Sequence, residues 1–325
     1  MFYLGIDVSK AKLDCELRNA STEKVKSKVV PNTADGFKKL LEWLKKNEAA
    51  TAHVILEPTG VYHELAAFFF ADAGLTVSLV NPAQVRKFAQ GIGIKNKTDK
   101  MDSRVLARFG ATQKPEAWQP PSRSARTLKA LLTRRDAVAD DLLREKNRQE
   151  KLEATETPEL VSQSVEQSIN FLEAELKRLQ KCIDDSIDKD PDMRGKKELL
   201  NSIPGVGDRV SNHMTCLLAG RDFDSAEQLA AYLGLVPVQW ESGTSVRARP
   251  RMSKAGPAHL RKLLYMPAIV AIKHNAHIKA LYERLLERGK SKMAAIGAAM
   301  RKLAHLCFGV VRTGRAYDKN FAPQA

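Results

Sequence analysis

Cysteine is scarce in this 325-residue chain, and its four cysteines lie far apart with no Cys-x-x-Cys spacing. This pattern favours neither a zinc site nor a disulfide framework. A Gly-Lys phosphate-binding loop of the Walker type is also absent, so no motif indicates a nucleotide cofactor. The first residues predict a strand rather than a leader segment, and no apolar run approaches the length of a membrane span. We therefore expect a soluble, cytoplasmic protein that has no membrane partner.

Positive charge is abundant. The chain has 53 Lys and Arg against 38 Asp and Glu, which gives a net charge of +15 and an isoelectric point near 9.6. A charge of this size favours a polyanionic partner, held by a basic face or by counterion release. Solubility alone is the simpler alternative. The length and the apolar content allow two domains with cores of their own.

The N-terminal part alternates short apolar runs with amphipathic stretches, and this pattern predicts an α/β domain over residues 1–118. The predicted strands are Phe2–Val8, 12–17, 24–30, 53–57 and 76–80. Helices are predicted between residues 33 and 46 and between 61 and 73. Three successive strands that can form a meander, followed by βα units, match a ribonuclease-H-like layout.

Four carboxylates stand at the ends of these elements. Asp7 lies in the first strand, Glu57 ends the fourth before Pro58, and Asp99 and Asp102 share one face at the start of a helix. An acid that ends a core strand is costly unless a cation compensates it. Carboxylate oxygens are the ligands of hard cations, and two Mg²⁺ ions can clamp both reacting oxygens in phosphoryl transfer. The sequence therefore indicates a Mg²⁺ site, with scattered surface acids as the alternative.

A helical arm is predicted over residues 119–190. The segment from 122 to 190 has no glycine and many charges. Apolar residues recur at spacings of three and four along its second half, at Ile169, Leu172, Leu176, Leu179, Ile183 and Ile187. This spacing is typical of a coiled-coil seam. The seam either packs inside one chain or joins two chains, and an exposed seam favours a homo-oligomer.

Residues 191–325 predict a mainly helical domain, which begins with a glycine-containing turn. Ile203, Pro204, Gly205, Val206 and Gly207 resemble a helix-hairpin-helix turn, where glycines let backbone N–H groups approach a DNA phosphate. Gly205 and Gly207 are therefore candidate DNA contacts. A plain turn between two helices has the same pattern.

The stretch 239–256 mixes small hydroxyl residues with cationic ones. The hydroxyls are Ser242, Thr244, Ser245 and Ser253, and the cations are Arg247, Arg249, Arg251 and Lys254. Arginine forks fit phosphate oxygens, and a serine can attack phosphorus when a base or a metal takes its proton. Arg261 and Lys262 extend the basic surface. A basic loop that holds phosphate without reacting is the alternative, and local chemistry does not choose among the four hydroxyls.

An ordered set of motifs runs through the chain. It comprises Gly5-Ile6-Asp7, Glu57-Pro58-Thr59-Gly60, Asn81-Pro82, Lys97-Thr98-Asp99 with Asp102-Ser103-Arg104, Ile203-Pro204-Gly205-Val206-Gly207, Glu241-Ser242-Gly243 and Ser253-Lys254-Ala255-Gly256. Each motif is loose, but the ordered set, from about Tyr3 to Tyr317, resembles the DEDD-type transposases of the insertion-sequence one-ten family, the bridge-RNA-guided recombinases. In this resemblance the four acids are the DEDD signature, and Ser242 matches the nucleophile.

The resemblance implies a RuvC-like N-terminal domain, a coiled-coil arm and a C-terminal transposase domain. It also implies assembly, as a dimer to tetramer, on a structured non-coding RNA whose loops pair with donor and target DNA. Strand exchange would pass through a covalent phosphoserine link, with Mg²⁺ at the acids. Two rival hypotheses are a Holliday-junction-type nuclease that uses the same acids with water as nucleophile, and a non-catalytic nucleic-acid scaffold. Four acids facing a polyanion argue against the scaffold.

Overall fold

The computed structural model describes residues 1–58, 60–94, 99–239, 241–242, 246–247 and 251–320, and for residues 99–101, 241–242 and 246–247 it describes the backbone alone. The chain divides into two compact units, Met1–Pro120 and Pro121–Ala325.

Unit 1 is a five-stranded mixed sheet with helices on both faces. Its elements are β1 Phe2–Val8, β2 Lys12–Asn19, β3 Val25–Pro31, α1 Ala34–Lys46, β4 His53–Leu56, α2 Tyr62–Asp72, β5 Val77–Leu79, α3 Pro82–Gly91 and α4 Asp99–Gln113. The strand order is β3-β2-β1-β4-β5, with β1, β2 and β3 antiparallel to one another and β1, β4 and β5 parallel. The predicted meander and the βα units that follow it are confirmed.

The two faces of this sheet follow from alternation along β1. Leu4 and Ile6 point to one face, where they join the apolar core formed with α1 and α2. Tyr3 points to the other face and packs with residues of α3 and α4. Successive side chains of a strand alternate between faces, so β4, whose four residues are all buried, is covered on both. Thr33 caps α1 by accepting a hydrogen bond from the Gly36 N–H.

Unit 2 is mainly helical. Its elements are α5 Arg123–Glu153, α6 Glu159–Asp188, α7 Pro191–Asn201, α8 Asp208–Gly220, α9 Ala226–Tyr232, β6 Pro237–Val238, β7 Glu241–Ser242, β8 Val246–Arg247, β9 Arg251–Met252, α10 Ala258–Leu263, α11 Tyr265–His274, α12 Ala276–Glu287 and α13 Lys292–Thr313. The strands after residue 190 fall in a stretch where the sequence predicts loop and helix. Each is two residues long, too short to give an alternating pattern.

The long helices α5 and α6 pack against one another in opposite directions. Ile183 and Ile187 of the predicted seam are fully buried and pack with Leu128 and Leu132 of α5. The C-terminal part of the predicted seam therefore packs inside one chain, which was one of the two alternatives. Apolar side chains farther along α6, such as Phe171, are exposed.

The last helix, α13, is long and apolar enough in composition to cross a membrane. The sequence prediction that no run approaches that length was therefore wrong for residues 292–313. Ala295, Ala299, Leu303 and Cys307 of this helix are fully buried in the core of unit 2. Packing inside the unit accounts for its apolar face.

Candidate functional site

Asp7 and Glu57 lie at the same edge of the unit 1 sheet. The strands β1 and β4 are parallel neighbours, and the last pair in register is Ile6 with Leu56. Asp7 is the next residue on β1 and Glu57 directly follows β4, and both are half-buried. Neighbouring strands lie about 4.8 Å apart, and residues in register point to the same face. The backbone therefore carries these two carboxylates side by side.

Helix α4 brings the other two acids to the same end of β1. A Cβ atom on Gly5 would lie closer than 3.0 Å to the Ser103 carbonyl oxygen, so the helix backbone packs directly on the strand. Farther along the helix, a Cβ atom on Gly110 would meet the ring of Tyr3. The helix therefore runs opposite to β1, and its first turn lies towards Asp7.

Asp102 lies in that first turn and is half-buried, whereas Asp99 is the first residue of α4 and its side chain lies outside the described residues. Among the side chains that are described, no group of three or more His, Cys, Asp or Glu could hold a metal ion. The donors of the four predicted acids are all carboxylate oxygens, which suit a hard cation such as Mg²⁺.

Asp14 is an acid that sequence reasoning missed. It lies opposite Asp7 in the antiparallel pair of β1 and β2, so both side chains point to the α4 face. Asp14 is buried, and the Lys12 ammonium lies 2.9 Å from its Oδ2. Alternation along 12–17 was the available signal, but choosing this acid required the register of the two strands.

Ser242 lies in a short hairpin of unit 2. The strands β7 and β8 are antiparallel, with Ser242 opposite Val246 and Glu241 opposite Arg247. Ser242 is the last residue of β7, directly before the connection to β8. The side chains of these four residues and the whole of Arg249 lie outside the described residues. The backbone thus puts the candidate nucleophile at the end of a strand beside a basic residue on the facing strand.

The other candidate cations of this region differ in exposure. Arg251 on β9, Lys254 and Lys262 are exposed. Lys254 has φ +56°, in the left-handed region that few non-glycine residues adopt. Arg261 is half-buried, and its Nη1 is already hydrogen-bonded to two backbone carbonyl oxygens. Three of the four cations are therefore available to solvent, and Arg261 is partly engaged.

The two glycines of the predicted DNA-contact turn have different surroundings. Gly205 has φ +100°, and a Cβ atom there would lie 2.7 Å from the Ala271 Cβ on α11. Close helix packing and the left-handed backbone therefore account for glycine at this position. Gly207 is the N-cap residue of α8, and a Cβ there would meet nothing within 4 Å. Only the second glycine leaves open space at a helix N-terminus.

Positive charge is concentrated in the last part of the chain. Residues 191–325 carry 22 Lys and Arg against 10 Asp and Glu, a net charge of +12, whereas residues 119–190 carry 13 against 15. The polyanion-binding character inferred from composition therefore belongs mostly to the segment that contains Ser242.

A buried-edge ion network joins α5 to α8 in unit 2. Oδ1 of Asp136 accepts from Arg209 Nη2 at 3.1 Å, and its Oδ2 lies 3.0 Å from His213 Nε2. Burial alone would raise the pKa of Asp136, but the hydrogen bond and charge of His213, with Arg135 and Arg209, outweigh it and hold the pKa well below its ordinary value. This network holds α5 against α8, the helix that follows Gly207. No sequence motif indicates it.

Comparison with known proteins agrees with the order of these elements. Residues 4–152 match the family model of DEDD transposases of IS110 type, described as Transposase, and residues 197–283 match the Transposase IS116/IS110/IS902 family. Two relatives called pilin gene-inverting protein, from Moraxella bovis and Moraxella lacunata, are each 33% identical over 322 residues, which cover 98% of this chain and 98% of the relative. An uncharacterized 43.6 kDa protein of insertion element IS110 from Streptomyces coelicolor is 26% identical over 165 residues, 50% of this chain and 40% of that protein.

The chain belongs to the IS110 family of DEDD transposases, as its ordered motifs indicate. Membership implies a RuvC-like α/β domain at the N-terminus, which agrees with the mixed sheet of unit 1. The protein is a transposase or recombinase, an enzyme that acts on DNA. Such families normally depend on a divalent metal, but the identity of the metal is not specified by membership.

Proposed function

We propose that this protein exchanges DNA strands at specific sites through a covalent link between Ser242 and a DNA phosphate. The Ser242 Oγ forms a new P–O bond while a P–O bond between two nucleotides breaks, the hydroxyl proton leaves Oγ, and the released strand keeps a free hydroxyl. Attack of a strand hydroxyl on the phosphoserine reverses these changes and reseals DNA. One phosphodiester replaces another at each step, so no nucleotide triphosphate is consumed.

Three observations support serine at this position. Ser242 ends β7 and faces β8, which carries Arg247, so a basic residue lies on the neighbouring strand. The segment has a high positive charge, which attracts the phosphate backbone. Among the rival hydroxyls, Ser253 is engaged locally, because its Oγ accepts a hydrogen bond from the Ala255 N–H at 3.3 Å. Arginines near a reacting phosphate stabilise charge that develops on its oxygens.

The observation that carries the enzymatic proposal is the adjacency of Asp7 and Glu57, with the first turn of α4 at the same end of β1. We assign Asp7, Glu57, Asp99 and Asp102 as the residues that would hold Mg²⁺. A bound Mg²⁺ would neutralise phosphoryl oxygens and favour deprotonation of a nearby hydroxyl. Contact of α4 with β1 at Gly5 would fix the first turn of α4, with Asp99 and Asp102, relative to Asp7.

The proposed partners are donor and target DNA and a structured guide RNA that selects them by base pairing. The net charge of residues 191–325 suits a polyanion of either kind. The relatives' name, gene-inverting protein, fits exchange between two sites in DNA. We propose a homo-oligomer of two to four chains, with α5 and α6 as the coiled-coil arm of residues 119–190 and residues 191–325 as the transposase domain.

A denaturing gel tests the serine directly. The protein is incubated with Mg²⁺, labelled DNA that contains the sequences flanking the gene, and the RNA transcribed from them. We expect a protein-linked DNA band that is lost in Ser242→Ala and kept in Ser253→Ala, while both variants still bind DNA. Released fragments without a linked band would favour a junction-resolving nuclease, and binding with neither product would favour a scaffold.

A second variant tests the acids. Asp7→Asn keeps the shape of the side chain but removes its charge, so strand exchange should fall below detection while the unfolding temperature stays equal or rises. Lys38→Ala, an exposed change on α1, is the matched control in the same unit. Normal strand exchange by Asp7→Asn would remove this acid from the site.

A further inference from the structure

The two segments that flank the Ser242 stretch meet at one place in unit 2. The strands β6 and β9 form an antiparallel pair, in which Pro237 faces Met252 and Val238 faces Arg251. Below this pair, the Ser253 N–H donates to the Val236 carbonyl oxygen at 2.8 Å. We call the contact between residues 232–238 and 251–256 the hairpin base.

Two glycines allow the backbones at the hairpin base to touch. Gly234 has φ +68°, and a Cβ atom there would clash with the Ala255 carbonyl oxygen. Gly256 has φ +80°, and a Cβ atom there would clash with the Tyr232 carbonyl oxygen. Both residues need the left-handed region and the missing side chain, so each segment is built to fit the other.

Arg261, which lies on α10 after the hairpin base, joins its two segments. Its Nη1 donates to the Leu233 carbonyl oxygen at 3.1 Å and to the Ala255 carbonyl oxygen at 3.2 Å. One of these carbonyls precedes the Ser242 segment and the other follows it. A guanidinium nitrogen has two N–H groups, so a single nitrogen can serve both carbonyls.

We propose that Arg261 is a positioning residue that closes the hairpin base and thereby sets where Ser242 stands; this rests on the function proposed above for Ser242. Its Nη1 protons are used by backbone carbonyls, which distinguishes it from the exposed Lys262 beside it. We therefore assign phosphate binding to Lys262 and not to Arg261. Displacement of a reacting group by about 1 Å costs on the order of 100-fold in rate.

The experiment compares Arg261→Met with Lys262→Met, which remove the same charge from adjacent residues. Hydrogen exchange is followed by mass spectrometry in peptides that cover residues 232–238 and 251–256 of the full-length free protein. Salt dependence of DNA binding and the rate of formation of the protein–DNA adduct are measured alongside. We expect Arg261→Met to speed hydrogen exchange at the Ser253 and Lys254 amides about tenfold and to slow adduct formation by ten- to 100-fold. The salt slope, which is the slope of the logarithm of the DNA-binding constant against the logarithm of the salt concentration, should stay unchanged.

Lys262→Met should show the opposite pattern, with normal hydrogen exchange and a salt slope lower by about one. Arg261→Lys keeps the charge and serves if Arg261→Met fails to fold; we expect faster exchange and an unchanged salt slope. Gly256→Ala opens the base without a change in charge and should reproduce the exchange of Arg261→Met. Normal exchange in both Arg261 variants, or a lower salt slope in Arg261→Met, would overturn the proposal. Absence of any adduct in the wild type would refute the role of Ser242, and hydrogen exchange would still decide whether Arg261 closes the base.

Discussion

Substitution of Gly5 by Ala tests whether contact between β1 and α4 aligns the acids, because it changes no charged residue. The added Cβ would lie 2.2 Å from the Ser103 carbonyl oxygen and 2.3 Å from the Ala107 nitrogen. Ordinary contact begins at 3.4 Å, so the helix backbone must move by about 1 Å. Overpacking of this kind costs about 1–3 kcal/mol, whereas Gly→Ala without a clash stabilises a strand by about 0.5–1 kcal/mol. The change in unfolding free energy therefore has opposite signs with and without the clash.

The assay is thermal unfolding of the full-length protein followed by circular dichroism, together with strand exchange. We expect Gly5→Ala to lower the unfolding temperature of unit 1 by about 4–12 °C and to lower strand exchange on the order of 100-fold, since Asp99 and Asp102 move with α4. Gly91→Ala is the matched control, because a Cβ there meets nothing within 4 Å, and it should be neutral or slightly stabilising. An unfolding temperature for Gly5→Ala equal to or above that of the wild type would refute the packing argument. Lower stability with a normal rate of strand exchange would show that this contact stabilises unit 1 but is not needed for the reaction.

Three further predictions concern charge. Asp136→Asn should lower the stability of unit 2 by about 1–3 kcal/mol. Because the pKa of Asp136 is lowered in the folded state, its contribution to stability is present above its unfolded pKa near 3.8 and is lost as the pH falls below that value. Acid unfolding of the wild type and the variant measures this difference. Burial lowers the pKa of His53, whose Nε2 lies 2.7 Å from Ser78 Oγ. Unit 1 should therefore lose stability as the pH falls below about 6.5. His53→Gln should remove that pH dependence in melting curves at pH 5–8. Arg251→Ala should lower the salt slope of DNA binding by about one while Lys38→Ala leaves it unchanged, and equal slopes in a filter-binding series would exclude a phosphate contact at Arg251.

Most elements of unit 1 were predictable because local patterns determine them, although helix α3 was not predicted. Strand β1 is an apolar run that ends near Asp7, and β4 is buried on both faces, so each has a composition that few helices share. The helix cap at Thr33 uses a side chain whose capping preference is local. The family resemblance was also readable, because it depends on the order of motifs rather than on any single one.

Residues that act through tertiary contacts were not predictable. Asp14 matters only because strand register sets it opposite Asp7. Asp136 and Arg209 are 73 positions apart, and nothing in either neighbourhood indicates that they meet. Arg261 was grouped with the phosphate-binding cations because sequence shows its charge and not the carbonyls it contacts. Length and apolar composition likewise could not distinguish α13, a core helix of unit 2, from a membrane span.

Mixing two inactive variants tests whether the acids and the serine that act together belong to different chains. The acids lie in unit 1 and Ser242 lies in unit 2, and the proposed reaction uses both groups. In Asp7→Asn only the acids fail, and in Ser242→Ala only the serine fails. Chains that complete one another's sites restore one of two sites in each mixed dimer, and a random mixture then recovers about a quarter of the wild-type adduct. Sites that are complete within one chain recover none, because every chain in the mixture lacks one part. Adduct formation is scored on the denaturing gel after the two proteins are mixed before addition of RNA and DNA, with each variant alone as the control. A mixture as inactive as its components, with exchange of subunits verified by mass, would refute the shared site and leave the serine chemistry intact.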